Sequence, residues 1–243
     1  MSISRTAKEL IRHTLHQLKI DQVYHRILGQ PRPFLEHQDL QSRFAAIYQG
    51  EYWRLGRHDV PLSGHGSSLD ATTRLRNELP RLMTSVGTKH LLDIGCGDFT
   101  WMSQVDLTGI NYHGVDLVPA VIARNSETYA SDNRRFSVGN AASDNLPEAD
   151  SVLCREVLFH LSFADAKALL RGALRTGAVH FFLTTDTGTK FNSDIHSGDY
   201  RLLNLQISPF RLPPPRKSIA ELEAGRLLGY WTAEDIRRAV QEA

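Results

Sequence analysis

The stretch that decides the fold is Leu91-Leu92-Asp93-Ile94-Gly95-Cys96-Gly97-Asp98-Phe99-Thr100. Its apolar first half, residues 90–94, predicts a short β-strand. Gly95 and Gly97 predict a tight turn that leads into a helix. Because glycine has no side chain, the backbone can turn sharply there and a ligand can lie against it. The D-x-G-x-G pattern that begins at Asp93 therefore predicts a strand, a ligand-binding turn and a helix.

A second acidic residue supports a nucleoside ligand. The apolar segment 112–116 predicts the next strand and ends in Asp116, nineteen positions after Gly97. An acid at about this distance from a glycine turn can accept hydrogen bonds from both ribose hydroxyls of an adenosine. Leu117 follows directly, so we expect it to contact the adenine.

The charges around the turn distinguish between adenosine ligands. A dinucleotide site would have a third glycine where this chain has Thr100, and a pyrophosphate at the helix N-terminus. Here Asp93 and Asp98 flank the turn. Carboxylates would repel a pyrophosphate but can hold an ammonium group. The pattern favours S-adenosylmethionine (SAM), which carries an amino-acid end, a sulfonium and an adenosine, and no phosphate.

With these residues the chain resembles the class I SAM-dependent methyltransferases. The resemblance is carried by LLDIGCGDFTWM at 91–102, YHGVDLVPAVI at 112–122 and DSVLCREVLFHLSFADA at 150–166. It implies an α/β fold with a Rossmann-like, seven-stranded sheet flanked by helices, and methyl transfer from SAM that leaves S-adenosylhomocysteine. The segments SGHGSS, NSDIHSGDYRLLNL and PFRLPPP also resemble a bacterial subgroup that we interpret as small-molecule methyltransferases.

Length and spacing predict one domain with an extension. The chain has 243 residues, which suits a methyltransferase domain over 61–243 and a helical extension or lid over 1–60. Apolar residues at helical spacing predict a helix over 4–28. This helix could close the site, form a homodimer contact, touch a membrane or pack on its own domain.

Composition limits the partners and the compartment. The formal net charge of +1 gives no reason to expect a nucleic-acid or membrane partner. Cys96 and Cys154 show no disulfide or metal spacing, which is typical of a reducing compartment. The sequence shows no apolar run of membrane-spanning length and no secretory signal, so we expect a cytoplasmic protein.

Periodicity predicts the remaining elements. Pro80 is expected to bend or break one helix. We predict helices over 70–86, 99–105, 119–129 and 163–176, a helical turn over 219–224, and strands over 135–139, 150–157, 178–185 and 226–231.

The reactive end is expected beyond the carboxyl ends of the strands, where open α/β sheets bind ligands. Arg155, Glu156 and His160 follow the fourth predicted strand. His160 is the general-base candidate, because an unperturbed imidazole titrates close to neutrality. Alternatively, it fixes a loop by hydrogen bonding. Glu156 could hold the SAM ammonium or a group of the acceptor.

Further cofactor contacts come from two loops. Gly66 and Ser67 offer backbone N–H groups to the SAM carboxylate, with Trp53 as a wall, although a plain linker is the alternative. Asn140 stands where related enzymes often place an acid for the adenine amino group, and Asp144 is a substitute. The predicted cofactor-binding residues are Trp53, Gly66, Ser67, Asp93, Gly95, Gly97, Asp98, Trp101, Asp116, Leu117, Asn140, Ala141 and Arg155.

A polar, irregular loop over 191–205 is expected to cover the acceptor pocket, since long loops in such positions are often functional. Its polar groups could instead bond their own backbone. A weaker alternative is a divalent ion bound by Asp186, Asp194 and His196. The predicted acceptor-binding residues are Asp194, His196, Asp199, Tyr200, Arg201 and Asn204.

These observations predict methyl transfer from SAM to an oxygen or nitrogen of a small polar molecule, such as a sugar or a natural-product precursor. A protein or RNA methyltransferase is the first alternative. RNA is disfavoured by the near-neutral charge and by the absence of an N-P-P-Y type motif, where this chain has residues 154–157. A non-catalytic SAM-binding protein is the second alternative.

Overall fold

The computed structural model describes residues 4–20, 32–221 and 224–241. Its centre is a seven-stranded sheet with the strand order β3-β2-β1-β4-β5-β7-β6. Neighbouring strands from β3 to β5 are parallel, and β7 runs antiparallel to both β5 and β6. The strands are β1 His90–Ile94, β2 Asn111–Asp116, β3 Arg134–Val138, β4 Ser151–Cys154, β5 His180–Asp186, β6 Lys217–Ala220 and β7 Arg226–Thr232.

Helices cover the sheet. Side chains of Ser4, Asp39 and Ser162 accept a backbone N–H at the start of three of them. The helices are α1 Arg5–Gln17, α2 Leu40–Gln49, α3 Thr73–Val86, α4 Pro119–Tyr129, α5 Phe163–Arg175 and α6 Ala233–Gln241. Short 3-10 turns lie at Pro33–Glu36, Tyr52–Arg54, His65–Ser67, Met102–Gln104 and Val157–His160.

Alternation along the strands divides the apolar side chains between two cores. Leu92 and Val152 pack in one core, whereas their neighbours Leu91 and Leu153 pack in the other. Successive side chains of a strand point to opposite faces, so a strand buried on both faces is apolar at most positions. The predicted seven-stranded Rossmann-like sheet is confirmed.

Two predicted elements are wrong. The helix predicted over 99–105 is one 3-10 turn, Met102–Gln104. Phe99 has a φ of 59° and a fully buried ring, so packing in the core overrides helix formation there. The first two residues of the helical turn predicted over 219–224 belong instead to strand β6, in which buried Ile219 pairs with Leu228 of β7; residues 222 and 223 lie outside the described part of the chain.

Smaller differences concern helix ends. Helix α3 begins at Thr73 and continues through Pro80, which was expected to bend or break it. The predicted N-terminal helix over 4–28 corresponds to α1, which ends at Gln17; residues 21–31 lie outside the described part of the chain.

The N-terminal region contributes to the main core. Phe34, Phe44 and Ile47 are buried in the cluster that also contains β1 and β4 side chains. The domain boundary at residue 60 stays a prediction. Within the described residues, no helix is both long and apolar enough to span a membrane.

Candidate functional site

One pocket lies at the carboxyl ends of β1, β2 and β4, where the strand order reverses direction. Ligands of open α/β sheets bind at such a switch point. The pocket encloses about 1010 Å³, its open mouth included. Its walls include Leu40, Phe44, Tyr48, Trp53, Ser63, Ser67, Asp93, Gly95, Gly97, Trp101, Asp116, Leu117, Asn140, Ala141, Arg155, Glu156, His160, Leu161 and Asp165.

The glycine turn after β1 requires glycine at two positions. Gly95 and Gly97 have φ values of 74° and 58°, which residues other than glycine rarely adopt. A Cβ atom on Gly95 would lie 2.3 Å from Cγ2 of Val157, and one on Gly97 would lie 2.4 Å from Oγ of Ser63. The turn therefore packs directly against the segment after β4 and against the segment that contains Ser63.

Asp116 ends β2 and is held beside the turn. Its Oδ2 accepts the N–H of Gly97 at 3.1 Å, and its Oδ1 accepts the N–H of Val118 at 3.0 Å. Burial raises the pKa of this carboxyl. Each carboxylate oxygen can accept a further hydrogen bond. Asp116 can thus receive two hydroxyl groups from a ligand in the pocket.

Asp93 is a buried acid at the end of β1. The hydroxyl of Tyr112 donates to its Oδ2 at 2.7 Å. Burial raises the pKa of Asp93 to about 7, against the opposing effect of that hydrogen bond. A cation in the pocket would favour the ionised carboxylate, since a nearby opposite charge lowers the pKa of an acid. The site is electrostatically suited to a positively charged ligand.

The segment after β3 is ordered by its own side chains. Asn140 Oδ1 accepts the N–H of Ala142 at 3.0 Å, and Asp144 Oδ2 accepts the N–H of Asn140 at 2.8 Å. Asn140 and Ala141 line the pocket, but Asp144 is absent from its walls. The amide oxygen of Asn140 keeps capacity for a second donor.

Arg155 directly follows β4 and lines the pocket. Its guanidinium donates to the carbonyl of Gly66 at 2.9 Å and to Glu221 Oε2 at 2.6 Å, and it lies 5.1 Å from the ring centre of Trp101. Its buried Nε has no hydrogen-bond partner within the described residues. Arg155 therefore retains a donor for an acceptor group in the pocket.

Glu156 follows Arg155 in a left-handed backbone conformation, with a φ of 64°. Such a conformation costs roughly 1–2 kcal/mol for a residue with a side chain. The N–H of Glu156 donates to Oγ1 of Thr184 at 3.1 Å, and its Oε1 lies 3.2 Å from Nη1 of Arg226. These contacts hold the carboxylate at the pocket wall.

His160 lies in the 3-10 turn after Glu156. Its Nδ1 is 3.0 Å from the carbonyl oxygen of Asp199, and its ring centre is 4.9 Å from that of Trp53 and 5.3 Å from that of Tyr200. Burial lowers the pKa of His160 to about 3, with smaller contributions from two arginines. The imidazole is therefore neutral at neutral pH, and Nδ1 carries its proton because a carbonyl can only accept.

Most of the predicted cofactor-binding residues line this pocket, and so do both predicted catalytic residues, His160 and Glu156. Gly66 and Asp98 do not. The carbonyl of Gly66 binds Arg155 as described, and Asp98 Oδ2 accepts the N–H of Ser63 at 3.1 Å. Gly66 and Asp98 thus hydrogen-bond to residues that line the pocket.

The six predicted acceptor-binding residues, in contrast, are absent from the pocket walls. Arg201 is 1% exposed and donates to the carbonyls of Leu158, Leu161 and Ser193. The other five also contact the protein itself. Asp194 accepts the N–H of Phe163, Asp199 accepts the N–H of Tyr200, and Asn204 donates to the carbonyl of Thr189. The ring of His196 packs on that of His16, and the hydroxyl of Tyr200 accepts from Arg226.

The metal alternative has no geometric counterpart among the residues that the structure describes. Across residues 4–20, 32–221 and 224–241, no group of three or more His, Cys, Asp or Glu side chains is arranged to hold a metal ion. Asp186 instead accepts the N–H and the hydroxyl of Thr189 at 2.8 and 3.0 Å.

Sequence reasoning missed the part of the wall that α2 supplies. Phe44 and Tyr48 are four residues apart and so share one helix face, which lines the pocket. The hydroxyl groups of Tyr48 and Ser63 are hydrogen-bonded at 3.1 Å. The four-residue spacing of Phe44 and Tyr48 is visible in the sequence, but the position of this helix face beside the glycine turn is not.

Comparison with known proteins agrees with this geometry. Residues 92–176 match the family model described as a methyltransferase domain. This match agrees with the resemblance to the class I, SAM-dependent methyltransferases. The matched residues of this domain run from β1 to the end of α5 and contain the glycine turn, Asp116, Glu156 and His160. No protein of curated function matches the sequence.

Two solved methyltransferase structures share the fold of this chain. Magnesium protoporphyrin IX methyltransferase (ChlM) from Synechocystis PCC 6803, crystallised with SAM, is 15% identical with a TM-score of 0.55, over 81% of this chain and 98% of that one. The methyltransferase domain of the bacterial CtHen1-CN is 14% identical with a TM-score of 0.53, over 67% of this chain and 99% of that one.

Proposed function

We propose that this methyltransferase transfers a methyl group from SAM to an oxygen or nitrogen atom of a small polar molecule, such as a sugar or a natural-product precursor. The observation that carries the proposal is the composition of one pocket. The glycine turn, Asp116, Glu156 and His160 all line it. A nucleoside cofactor and an acceptor could therefore meet in one enclosed space.

The residues present fit SAM. Asp116 would accept the ribose hydroxyls, and Leu117, Asn140 and Ala141 would surround the adenine. When bound, SAM supplies a methyl group that leaves the sulfonium as a lone pair of the acceptor forms the new bond, and S-adenosylhomocysteine remains.

The amino-acid end of SAM would meet the charged residues. The carboxylate suits the unused Nε donor of Arg155 and the loop that contains Ser67, with Trp53 as a wall. Asp93 and Glu156 are acids that could hold the ammonium group. A cation beside Asp93 would also relieve the cost of ionising a buried carboxyl whose pKa is raised to about 7.

His160 is the proposed proton acceptor. Because Nδ1 is occupied by the carbonyl of Asp199, Nε2 is the ring nitrogen that can take a hydrogen bond from the acceptor. The lowered pKa, about 3, makes His160 a weak base. A weak base suffices for a hydroxyl acceptor, whose oxygen becomes strongly acidic as the methyl group is added, so the pKa favours oxygen over nitrogen.

Alignment is the second source of acceleration. Methyl transfer is a displacement that needs the acceptor atom close to the methyl carbon and in line with the bond that breaks, and holding two reactants so lowers the barrier. Glu156 is suited to this role, since Arg226 and Thr184 restrain both its carboxylate and its backbone.

The test is an acceptor screen with SAM that carries a deuterated methyl group, in which mass spectrometry detects labelled products and S-adenosylhomocysteine. We expect labelled small hydroxylated molecules. For the acceptor found, His160→Gln should lower kcat by about 10²-fold or more, the typical contribution of a general base. Its Kd for SAM should change by less than about 3-fold, because His160 is not expected to bind the cofactor.

Three results would contradict the proposal. Label found only in protein or RNA fractions would indicate a macromolecular acceptor. SAM binding without turnover on the whole panel would favour a non-catalytic binding protein. An unchanged kcat in His160→Gln would remove His160 from the reaction.

A further inference from the structure

The N-terminal region and the loop after β5 meet at one carboxylate, that of Asp199. Nη2 of Arg12 in α1 lies 2.7 Å from Asp199 Oδ2, and Arg32 forms a second ion pair with Oδ1. The Asp199 side chain is 4% exposed, whereas those of Arg12 and Arg32 are 23% and 24% exposed. Arg12 and Arg32, both far from Asp199 in sequence, thus hold its buried carboxylate.

The backbone of the same residue reaches the pocket. The carbonyl oxygen of Asp199 lies 3.0 Å from Nδ1 of His160. The loop around Asp199 also pairs with the turn that contains His160: Gly198 donates to the carbonyl of His160 at 2.7 Å, and Arg201 donates to that of Phe159 at 3.0 Å. Asp199 is therefore anchored by its side chain and contacts the proposed base through its main chain.

From this arrangement we propose that Asp199 is a positioning residue for His160, and that Arg12 and Arg32 make the N-terminal region part of the acceptor site by holding Asp199 in place. The inference rests on the proposed function, in which His160 Nε2 faces the acceptor. It gives Asp199 a role through His160 rather than the direct acceptor contact predicted from the sequence.

The physical reason is the tautomer of a neutral imidazole. One ring nitrogen carries the proton and the other accepts, and the partner of one nitrogen decides which is which. With the carbonyl of Asp199 at Nδ1, the lone pair lies on Nε2. If that carbonyl moved away, the proton could occupy either nitrogen, and a His160 protonated at Nε2 could not accept a proton there.

Polar contacts from α1 lie beside the anchor. Glu9 is hydrogen-bonded to Ser193, and the rings of His16 and His196 are 4.6 Å apart. Neither contact touches His160. The ion pair of Arg12 with Asp199 links α1 to the loop, and partly exposed ion pairs are weakened by salt.

The test is nitrogen-15 NMR of histidine-labelled protein, free and with S-adenosylhomocysteine, because the two tautomers have distinct ring-nitrogen shifts. His160→Gln identifies the signals of His160. In the unmodified protein we expect a proton on Nδ1 and none on Nε2. In Arg12→Gln and Asp199→Asn the two shifts should move towards each other, as expected for a mixture of tautomers.

Lys8→Gln is the matched control, since it removes one positive charge from an exposed position of the same helix. Its His160 signals should equal those of the unmodified protein. With the acceptor from the screen, Arg12→Gln should lower kcat several-fold and leave the Kd for SAM within about 2-fold, because the base and not the cofactor is affected.

Two results would overturn the inference. One is a proton on Nε2 of His160 in the unmodified protein. The other is a pair of His160 nitrogen shifts that is the same in Arg12→Gln and Asp199→Asn as in the unmodified protein. The measurement needs no methyl transfer. A failure to bind SAM would therefore overturn the proposed function separately, and the tautomer result would still decide whether Asp199 positions His160.

Discussion

Two loops that follow strands of the same sheet differ in what their polar side chains do. The glycine turn over 95–98 follows β1, and its glycines line the pocket together with Asp116 of β2. The loop over 187–216 follows β5, and its predicted acceptor-binding side chains bond the protein itself. The short glycine turn exposes its backbone to the pocket, whereas the long loop after β5 uses its polar side chains to order its own backbone.

The reason is the number of backbone groups that each loop must satisfy. Buried N–H and C=O groups are nearly always hydrogen-bonded, and a loop without strands or helices needs side chains for this purpose. Asn192 and Asn204 illustrate this, because Asn192 Nδ2 donates to the carbonyl of Asn204 at 2.8 Å and Asn192 Oδ1 accepts its N–H at 2.9 Å.

The comparison is tested most severely by Arg201→Ala. The substitution removes three hydrogen bonds from the guanidinium to buried carbonyls, and each such loss costs about 1–3 kcal/mol. We expect the free energy of unfolding to fall by about 5 kcal/mol, measured by urea denaturation. Arg81→Ala, at an exposed position of α3, should stay within about 0.5 kcal/mol. A stable Arg201→Ala protein that fails to bind an acceptor would reverse this assignment.

On the cofactor side, Asp93 is expected to oppose stability at neutral pH. Its folded-state pKa is raised to about 7 from 3.8, so the folded state binds its proton more tightly than the unfolded state. The protonated Asp93 therefore stabilises the folded state fully below pH 4, and this stabilisation is lost as pH rises through 7. The difference between the two pKa values corresponds to about 4 kcal/mol in the free energy of unfolding.

Asp93→Asn should therefore flatten the pH dependence of stability between about pH 4 and 8, relative to the unmodified protein. Urea denaturation at a series of pH values measures it. Parallel curves for the two proteins would mean that Asp93 is not destabilised by burial.

Gly95→Ala separates cofactor binding from backbone strain. The new Cβ would meet Val157 at 2.3 Å inside the pocket wall, so we expect SAM affinity to fall by about 100-fold, or about 2.7 kcal/mol. Gly109 has nearly the same φ, 75° against 74°, but nothing within 4 Å of its Cβ position. Gly109→Ala should lose about 1–2 kcal/mol of stability from the backbone conformation alone, with unchanged affinity. Equal affinities in the two variants would contradict the assignment of the turn.

Asp194→Ala should have the smallest effect. Asp194 Oδ1 accepts the N–H of Phe163, the first residue of α5, and that of Ile195, as a capping side chain does. Losing such a cap costs about 1 kcal/mol. Thermal unfolding should show this loss, while calorimetry shows an unchanged Kd for SAM; Asp132→Ala, at an exposed position, is the control. A large loss of acceptor binding would restore the role predicted from sequence.

Local patterns made the sheet and the glycine turn predictable. The central strands are mostly apolar, and the spacing from Gly97 to Asp116 reflects the step from one strand to its neighbour. Contacts between distant segments were not predictable. Arg12 reaches Asp199, and Tyr48 reaches Ser63 beside the glycine turn, only after the chain has folded.

Phe99 shows the same limit at a single residue. Its sequence position suits a helix start, but its ring packs within 5.1 Å of Tyr112 and Tyr129 and within 5.0 Å of Phe136, ring centre to ring centre. Burial of such a ring in an aromatic cluster outweighs the modest cost of a left-handed backbone. No local pattern identifies these partners in advance.

The central claim is that Asp116 and the glycine turn bind the adenosine of SAM. Calorimetric titration of the unmodified protein and of Asp116→Ala with SAM, S-adenosylhomocysteine and NAD tests it most directly, with thermal unfolding to verify that the variant folds. We expect micromolar binding of both adenosyl ligands, no binding of NAD, and affinity at least about 100-fold weaker in the variant, since two hydrogen bonds to a charged group are lost. Binding of NAD without SAM, or equal SAM affinity in a folded Asp116→Ala protein, would contradict the account.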